Sequence, residues 1–153
     1  MGEPLAYEVD QSNKIEQRGD TALALSNDKT YTIRIPDSEK RAAIDCLNSL
    51  KRGRRKLTSL RLFAVTLYYL LQELPPGEVV MIDEEYTGHM RDIVSMVLNL
   101  MRRDDPHFDE SRLRVGYVGK KSRAHEEALA VFRGEAQANR ILKADDLLRQ
   151  VIG

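Results

Sequence analysis

Residues 79–86 read Val79-Val80-Met81-Ile82-Asp83-Glu84-Glu85-Tyr86. Four consecutive apolar residues of strand type suit a strand covered on both faces, the usual state inside a parallel sheet. Just upstream, Leu74-Pro75-Pro76-Gly77 ends a helix, because neither proline can continue one. Just downstream, Gly88 leads into a new stripe, Met90, Ile93, Val94, Val97 and Met101, at helical spacing. A buried strand between two helices places the chain in the α/β class, with helices on both faces of its sheet.

Working outward towards the N-terminus, the helix before the prolines shows its stripe at Leu57, Leu60, Ala64, Leu67, Tyr68 and Leu71. An earlier helix begins at Pro36-Asp37-Ser38-Glu39, where the acids suit the helix dipole. It carries Ala42, Ala43, Cys46, Leu47 and Leu50 and breaks at Gly53. The first third reads as three strands on short connections. In Leu5-Ala6-Tyr7-Glu8-Val9-Asp10 the apolar positions 5, 7 and 9 alternate with the polar 8 and 10; Thr21 to Leu25 and Tyr31 to Ile35 follow. The Asn27-Asp28-Lys29 turn between the last two completes an antiparallel meander. Towards the C-terminus, Leu113 to Val118 is a fifth strand, and a last helical region runs from Ala124 to Ile152 with an interruption near Gly134. The expectation is a single domain over residues 1–153 with a five-stranded mixed sheet, strand one lying between strands two and four.

The chain has 153 residues, 42% of them apolar and 31% charged, which excludes a disordered tail and a mini-protein that needs staples. The longest apolar candidate, Leu62 to Leu74, falls short of the roughly 20 residues that cross a bilayer. Met-Gly-Glu-Pro begins without a basic region and apolar stretch, and a lone Cys46 makes no internal disulfide, so the expected setting is cytoplasmic, with no membrane. The 24 basic residues balance the 24 acidic ones, but their distribution is uneven. Lys51, Arg52, Arg54, Arg55 and Lys56 form one basic cluster, and Lys120, Lys121 and Arg123 another. Both are candidate phosphate contacts for nucleic acid.

Candidate chemistry collects at strand ends. Asp10 closes strand one, Asp83 and Glu85 close strand four, and His125 starts the last helix. Were strands one and four parallel neighbours, their carboxyl ends would bring Asp10 and Asp83 together, where open α/β sheets place their sites. Carboxylate oxygens are hard ligands that select Mg²⁺ or Mn²⁺, and such ions activate water for attack on a phosphodiester.

The element order, the Asp10-Gln11-Ser12-Asn13 stretch, the acidic end of strand four and the polar start of the last helix resemble the ribonuclease H-like superfamily. That group includes ribonucleases H, Holliday-junction resolvases and transposase catalytic domains. Within it, the Asp-x-Ser-Asn stretch is similar to the Asp-x-Ser-Gly signature of a bacterial branch. The resemblance implies a sheet ordered 3-2-1-4-5, a divalent metal and cleavage of DNA or RNA. By position it implies Asp10 as the strand-one aspartate, Asp83 or Glu85 as the strand-four acid, and His125 or Glu126 as the ligand on the last helix. Asn13 stands where the signature has glycine; asparagine tolerates positive φ, so the turn can survive. The acid expected on the first helix has no clear counterpart, Glu39 and Asp45 being the candidates.

The leading expectation is thus a metal-dependent nuclease or resolvase-like enzyme with Asp10, Asp83, Glu85 and His125 at its centre and Asp10, Asp83 and Glu85 on the metal. The alternative is a non-catalytic module on the same fold that binds nucleic acid or protein. A homodimer is compatible with either. A small-molecule phosphotransfer protein ranks last, because the chain lacks a glycine-rich phosphate loop. Each residue also has a purely structural reading: Asp10 as a turn former, the Asp83-Glu84-Glu85 run as a helix cap, His125 as an ordinary helix-start residue. His89 and His107 read as surface, and Cys46, Tyr68 and Tyr69 as packing residues.

Overall fold

Parallel pairing of two short strands organises the sheet. The computed structural model describes residues 6–51 and 55–152, and the side chains of these other than 51, 55, 56 and 152. β1 (Tyr7–Ser12) pairs parallel with β4 (Val80–Asp83), with Tyr7 opposite Val80 and Val9 opposite Ile82. On its other side β1 runs antiparallel to β2 (Thr21–Ser26), which in turn pairs antiparallel with β3 (Thr30–Ile35). β5 (Leu113–Gly116) lies parallel to β4 at the far edge. The order 3-2-1-4-5 is therefore present, but the sheet has six strands rather than five.

The sixth is β6 (Arg140–Ile141), parallel to β3 and placed inside what the sequence presents as the last helical region. That region is α4 (Arg123–Phe132), which ends before the left-handed Gly134, then β6, then α5 (Ala144–Ile152). A two-residue strand has no periodicity to read, and its partner is more than 100 positions away. Asn139 secures the pairing: its Oδ1 accepts from Thr32 N at 2.8 Å, and its own N–H donates to Thr32 Oγ1 at 3.1 Å.

Strand alternation divides the core unequally. Val9, Leu23, Leu25, Ile33, Ile35, Val80 and Ile82 face a large layer formed by α1 (Asp37–Lys51), α2 (Arg55–Leu71), α3 (Met90–Asp104) and α5. The opposite face carries Asp10, Ala22, Ala24 and Thr32, and there α4 alone packs over β1, β2 and β3. The small Ala22 and Ala24 let α4 approach with its buried Ala124, Ala128 and Val131. β4 is correspondingly lopsided: Val80 and Ile82 are buried, while Met81 and Asp83 on the α4 side are only half-buried. The apolar run is thus not covered equally on both faces, because the helix layer on this side stops short of β4. Tyr68 and Tyr69 pack as expected; Cys46 is half-buried on its helix rather than part of the core.

The loop between β1 and β2 is held from two directions. Asn13 takes a left-handed conformation (φ 65°), and its Nδ2 donates to the carbonyls of Arg18 and Asp20. Lys40 of α1, with 1% of its surface exposed, donates through Nζ to Gln17 O, Thr21 Oγ1 and Lys14 O. Burial pushes this ammonium's pKa below the usual lysine range, opposed by the charges of Asp37, Asp20 and Glu16. Replacing Lys40 by Met keeps the stem and strands these acceptors, so Lys40→Met should cost about 2–4 kcal/mol of unfolding free energy. Denaturant titration measures this; a variant as stable as the parent would show that water replaces the ammonium freely.

Candidate functional site

The site forms where the parallel strands end. Continuing the β1–β4 register by one step from Val9 and Ile82 sets Asp10 beside Asp83 on the face towards α4. β1 extends to Ser12, so Asp10 sits within the strand and its side chain is held by the sheet rather than by a turn. Its Oδ1 accepts from Gln11 N at 2.8 Å, and its Oδ2 meets His125 Nδ1 at 2.7 Å. A carboxylate oxygen accepts, so the imidazole proton on this bond belongs to Nδ1. Asp83 Oδ1 accepts from Val118 N at 2.8 Å, which ties the segment after β5 to the end of β4.

Glu85 reaches the same place by a turn and not by strand alternation. β4 stops at Asp83, Glu84 N donates to Gly116 O, and Glu85 N folds back to Asp83 O at 2.8 Å. Asp10, Asp83 and Glu85 each offer a carboxylate oxygen, all within 4.8 Å of one another. A cation 2.0–2.6 Å from each oxygen spans such separations. Among the described residues this is the one such group of His, Cys, Asp or Glu. The donors are all hard oxygens, so the trio can hold a metal ion.

His125 is fixed from both ends. Ser122 caps α4 by accepting from His125 N at 3.0 Å, which brings the imidazole in the first turn over Asp10. The positive end of the α4 dipole thereby also lies beside the carboxylates. Above them opens a cleft of about 540 Å³ whose walls include Gln11, Glu84, Thr87, Tyr117, Lys120 and His125. Gln11 is 7% exposed, and both its amide atoms are buried without a hydrogen-bond partner.

Electrostatics in this group are strained. Burial first, then hydrogen bonds and charge from Asp10 and Asp83, push the Glu85 carboxyl up to about 9. Glu8, on the same face of β1, is raised by burial and by the Asp10 charge. Tyr86 is buried beside the site; its hydroxyl accepts from Ile15 N and donates to Glu16 Oε1 at 3.1 Å. Burial and then the Glu16 charge raise its pKa.

The structure thus brings Asp10, Asp83, Glu85, His125 and Lys120 to one cleft. Lys121 is exposed and lies outside its walls, and Arg123 donates to Asn27 O at the β2–β3 turn. Arg52 and Arg54, together with the side chains of Lys51, Arg55 and Lys56, lie outside the described residues. Glu126 is exposed, and Asp10 meets its neighbour, His125. Neither first-helix acid enters the site: Glu39 accepts from Ala144 N at the start of α5, and Asp45 is exposed. Gln11, Tyr117 and Thr87 join the cleft without a signal in the sequence, since polar or aromatic residues near strand ends are common. Comparison with protein-family models gave no match for this chain, and neither did comparison with curated proteins.

The raised Glu85 fixes a pH dependence. The folded state holds its proton more tightly than the unfolded chain, so the stabilisation is complete below about 4.5 and lost as pH rises towards about 9. In a chelator, the Tm of the parent should fall by several degrees more than that of Glu85→Gln between pH 5 and pH 8. A divalent cation at pH 8 should restore the parent more than the variant, because it takes the proton's place. Parallel Tm profiles for the two proteins would separate Glu85 from the cluster.

Proposed function

We propose that the protein is a divalent-metal-dependent phosphodiesterase that cleaves nucleic acid, with Mg²⁺ or Mn²⁺ as its ion. The observation that carries this reading is the convergence of the Asp10, Asp83 and Glu85 oxygens within 4.8 Å in an open cleft. Bound there, the ion would supply Lewis acidity and an activated water. Asp10, Asp83 and Glu85 hold it, and their negative charge favours a small hard cation over an anionic ligand. His125 positions Asp10 through the 2.7 Å bond and keeps one carboxylate oxygen directed. Lys120 on the cleft wall attracts a phosphate towards the acids, which would otherwise repel it. The strand order, with Asp10 within β1 beside Asp83 at the carboxyl end of β4, supports the ribonuclease H-like reading of the chain.

One feature favours a second reading, a nucleic-acid- or protein-binding module without catalysis: α1 contributes no acid, Glu39 being engaged with α5. Cleavage assays separate the two. Asp10→Asn preserves shape and removes the charge that holds the ion, so cleavage in Mg²⁺ or Mn²⁺ should fall by about two or more orders of magnitude, as removal of charge-stabilising groups does elsewhere. Binding to nucleic acid in EDTA should persist. His125→Ala should lower the rate less, because the imidazole acts through Asp10. Equal cleavage by parent and Asp10→Asn would move the active site elsewhere, whereas binding without cleavage by the parent would establish the module.

The placement of the two lysines makes a separate prediction. Lys120→Ala should flatten the dependence of log affinity on log salt by about 0.7–0.9, one phosphate contact, while Lys121→Ala leaves it unchanged. Equal effects from both would assign them to a diffuse surface field.

A further inference from the structure

We propose that Tyr117 is a stacking platform for an unpaired base, which makes the substrate of this cleft a single-stranded or locally unpaired segment of nucleic acid. The inference rests on the nuclease reading and adds the strand state to it. Tyr117 follows β5 directly and is 84% exposed, the most exposed large hydrophobic side chain among the described residues. Isolated exposed aromatics are ordinary on protein surfaces. Three observations set this one apart.

First, it belongs to the wall of the cleft that contains the three acids and Lys120. Second, its backbone is fixed on both sides to the end of β4: Gly116 O accepts from Glu84 N, and Val118 N donates to Asp83 Oδ1. The Val118 side chain is buried at 4% exposure, so the ring that precedes it is carried outward from a rigid segment registered on a metal-site carboxylate. Third, the ring stands beside the loop that follows it and, among the described residues, is not engaged by another ring or cation. A Cβ built on Gly119 would lie 3.5 Å from Tyr117 Cε2, so the loop that carries Gly119 and Lys120 runs close beside the ring. Among the described residues the ring takes part in no aromatic pair and no cation–π contact.

An exposed aromatic ring on a fixed segment, with a lysine three positions on, is the arrangement that receives a nucleotide: base on ring, phosphate near ammonium. Inside a duplex both faces of each base are covered by its neighbours, so only an unpaired or splayed base can take up the position. Stacking tolerates any base identity, because every base has a π-face.

Binding is measured in EDTA, with a single-stranded oligonucleotide and a blunt duplex of equal length. Tyr117→Ala should weaken the single strand by roughly 5- to 150-fold, the loss of one base–aromatic stack, and the duplex by less than about twofold. Tyr117→Phe, which keeps the ring, should bind as the parent does. The sequence contains no tryptophan, so Tyr117→Trp provides a unique fluorophore. Its emission should be quenched by the single strand and not by an abasic sugar-phosphate chain of the same length. Equal losses on single strand and duplex, or equal quenching by the abasic chain, would overturn the stacking role while leaving the nuclease reading intact. If the parent binds neither form and cleaves neither in Mn²⁺, the nuclease reading falls and this inference with it.

Discussion

The site depends on the register of one parallel strand pair. β1 and β4 share only three paired positions, yet the alignment of Val9 with Ile82 is what sets Asp10 next to Asp83. A slip by one residue would turn Asp83 towards the α2 and α3 layer and bury an uncompensated carboxylate there. The apolar residues that prevent the slip, Tyr7, Val9, Val80 and Ile82, are all buried on the opposite face. Packing on one side of the sheet thus sets the carboxylate geometry on the other.

Coverage of that second face is the next constraint. A single helix, α4, packs over β1, β2 and β3, with Ala22 and Ala24 giving it room. Where α4 begins, Ser122 and His125 join its first turn to Asp10, so the helix closes one wall of the cleft and leaves the ends of β4 and β5 open. Gly116 serves the same geometry, since a side chain there would come within 2.8 Å of Met81 Sδ. The β1–β2 loop is anchored beside this opening by Lys40 on one side and by the Tyr86 hydroxyl on the other.

Carboxylates crowded at one point oppose folding, and the upward shift of the Glu85 carboxyl is the mark of its burial and of that crowding. The raised Glu85 and Glu8 show carboxylates held close together at a partly buried point of the fold. Such local conflicts with stability concentrate at sites of function. The carboxylate trio and the Gln11 amide stand in one cleft.

Local pattern alone determined most of the architecture: the alternation at Tyr7 and Val9, the four-residue run at Val79 to Ile82, and the helical stripes ended by Pro75 and Pro76 all correspond to elements of the fold. It also marked Asp10, Asp83, Glu85 and His125 as candidates, because acids near strands and a histidine at a helix start are visible along the chain, although Asp10 lies within β1 and Glu85 in the turn after β4. Asn13 was legible too, since few other side chains accept its left-handed backbone. The tertiary structure alone decided what depends on a distant partner. β6 exists only because β3 pairs with it and Asn139 just before it is tied to Thr32, α4 covers only three strands, and Glu39 is drawn to α5 instead of the site. Gln11 and Tyr117 acquire meaning only from the cleft around them. Periodicity and turn chemistry act over a few residues and can be read along the chain, whereas burial, charge coupling and exposure arise between segments that only folding brings together.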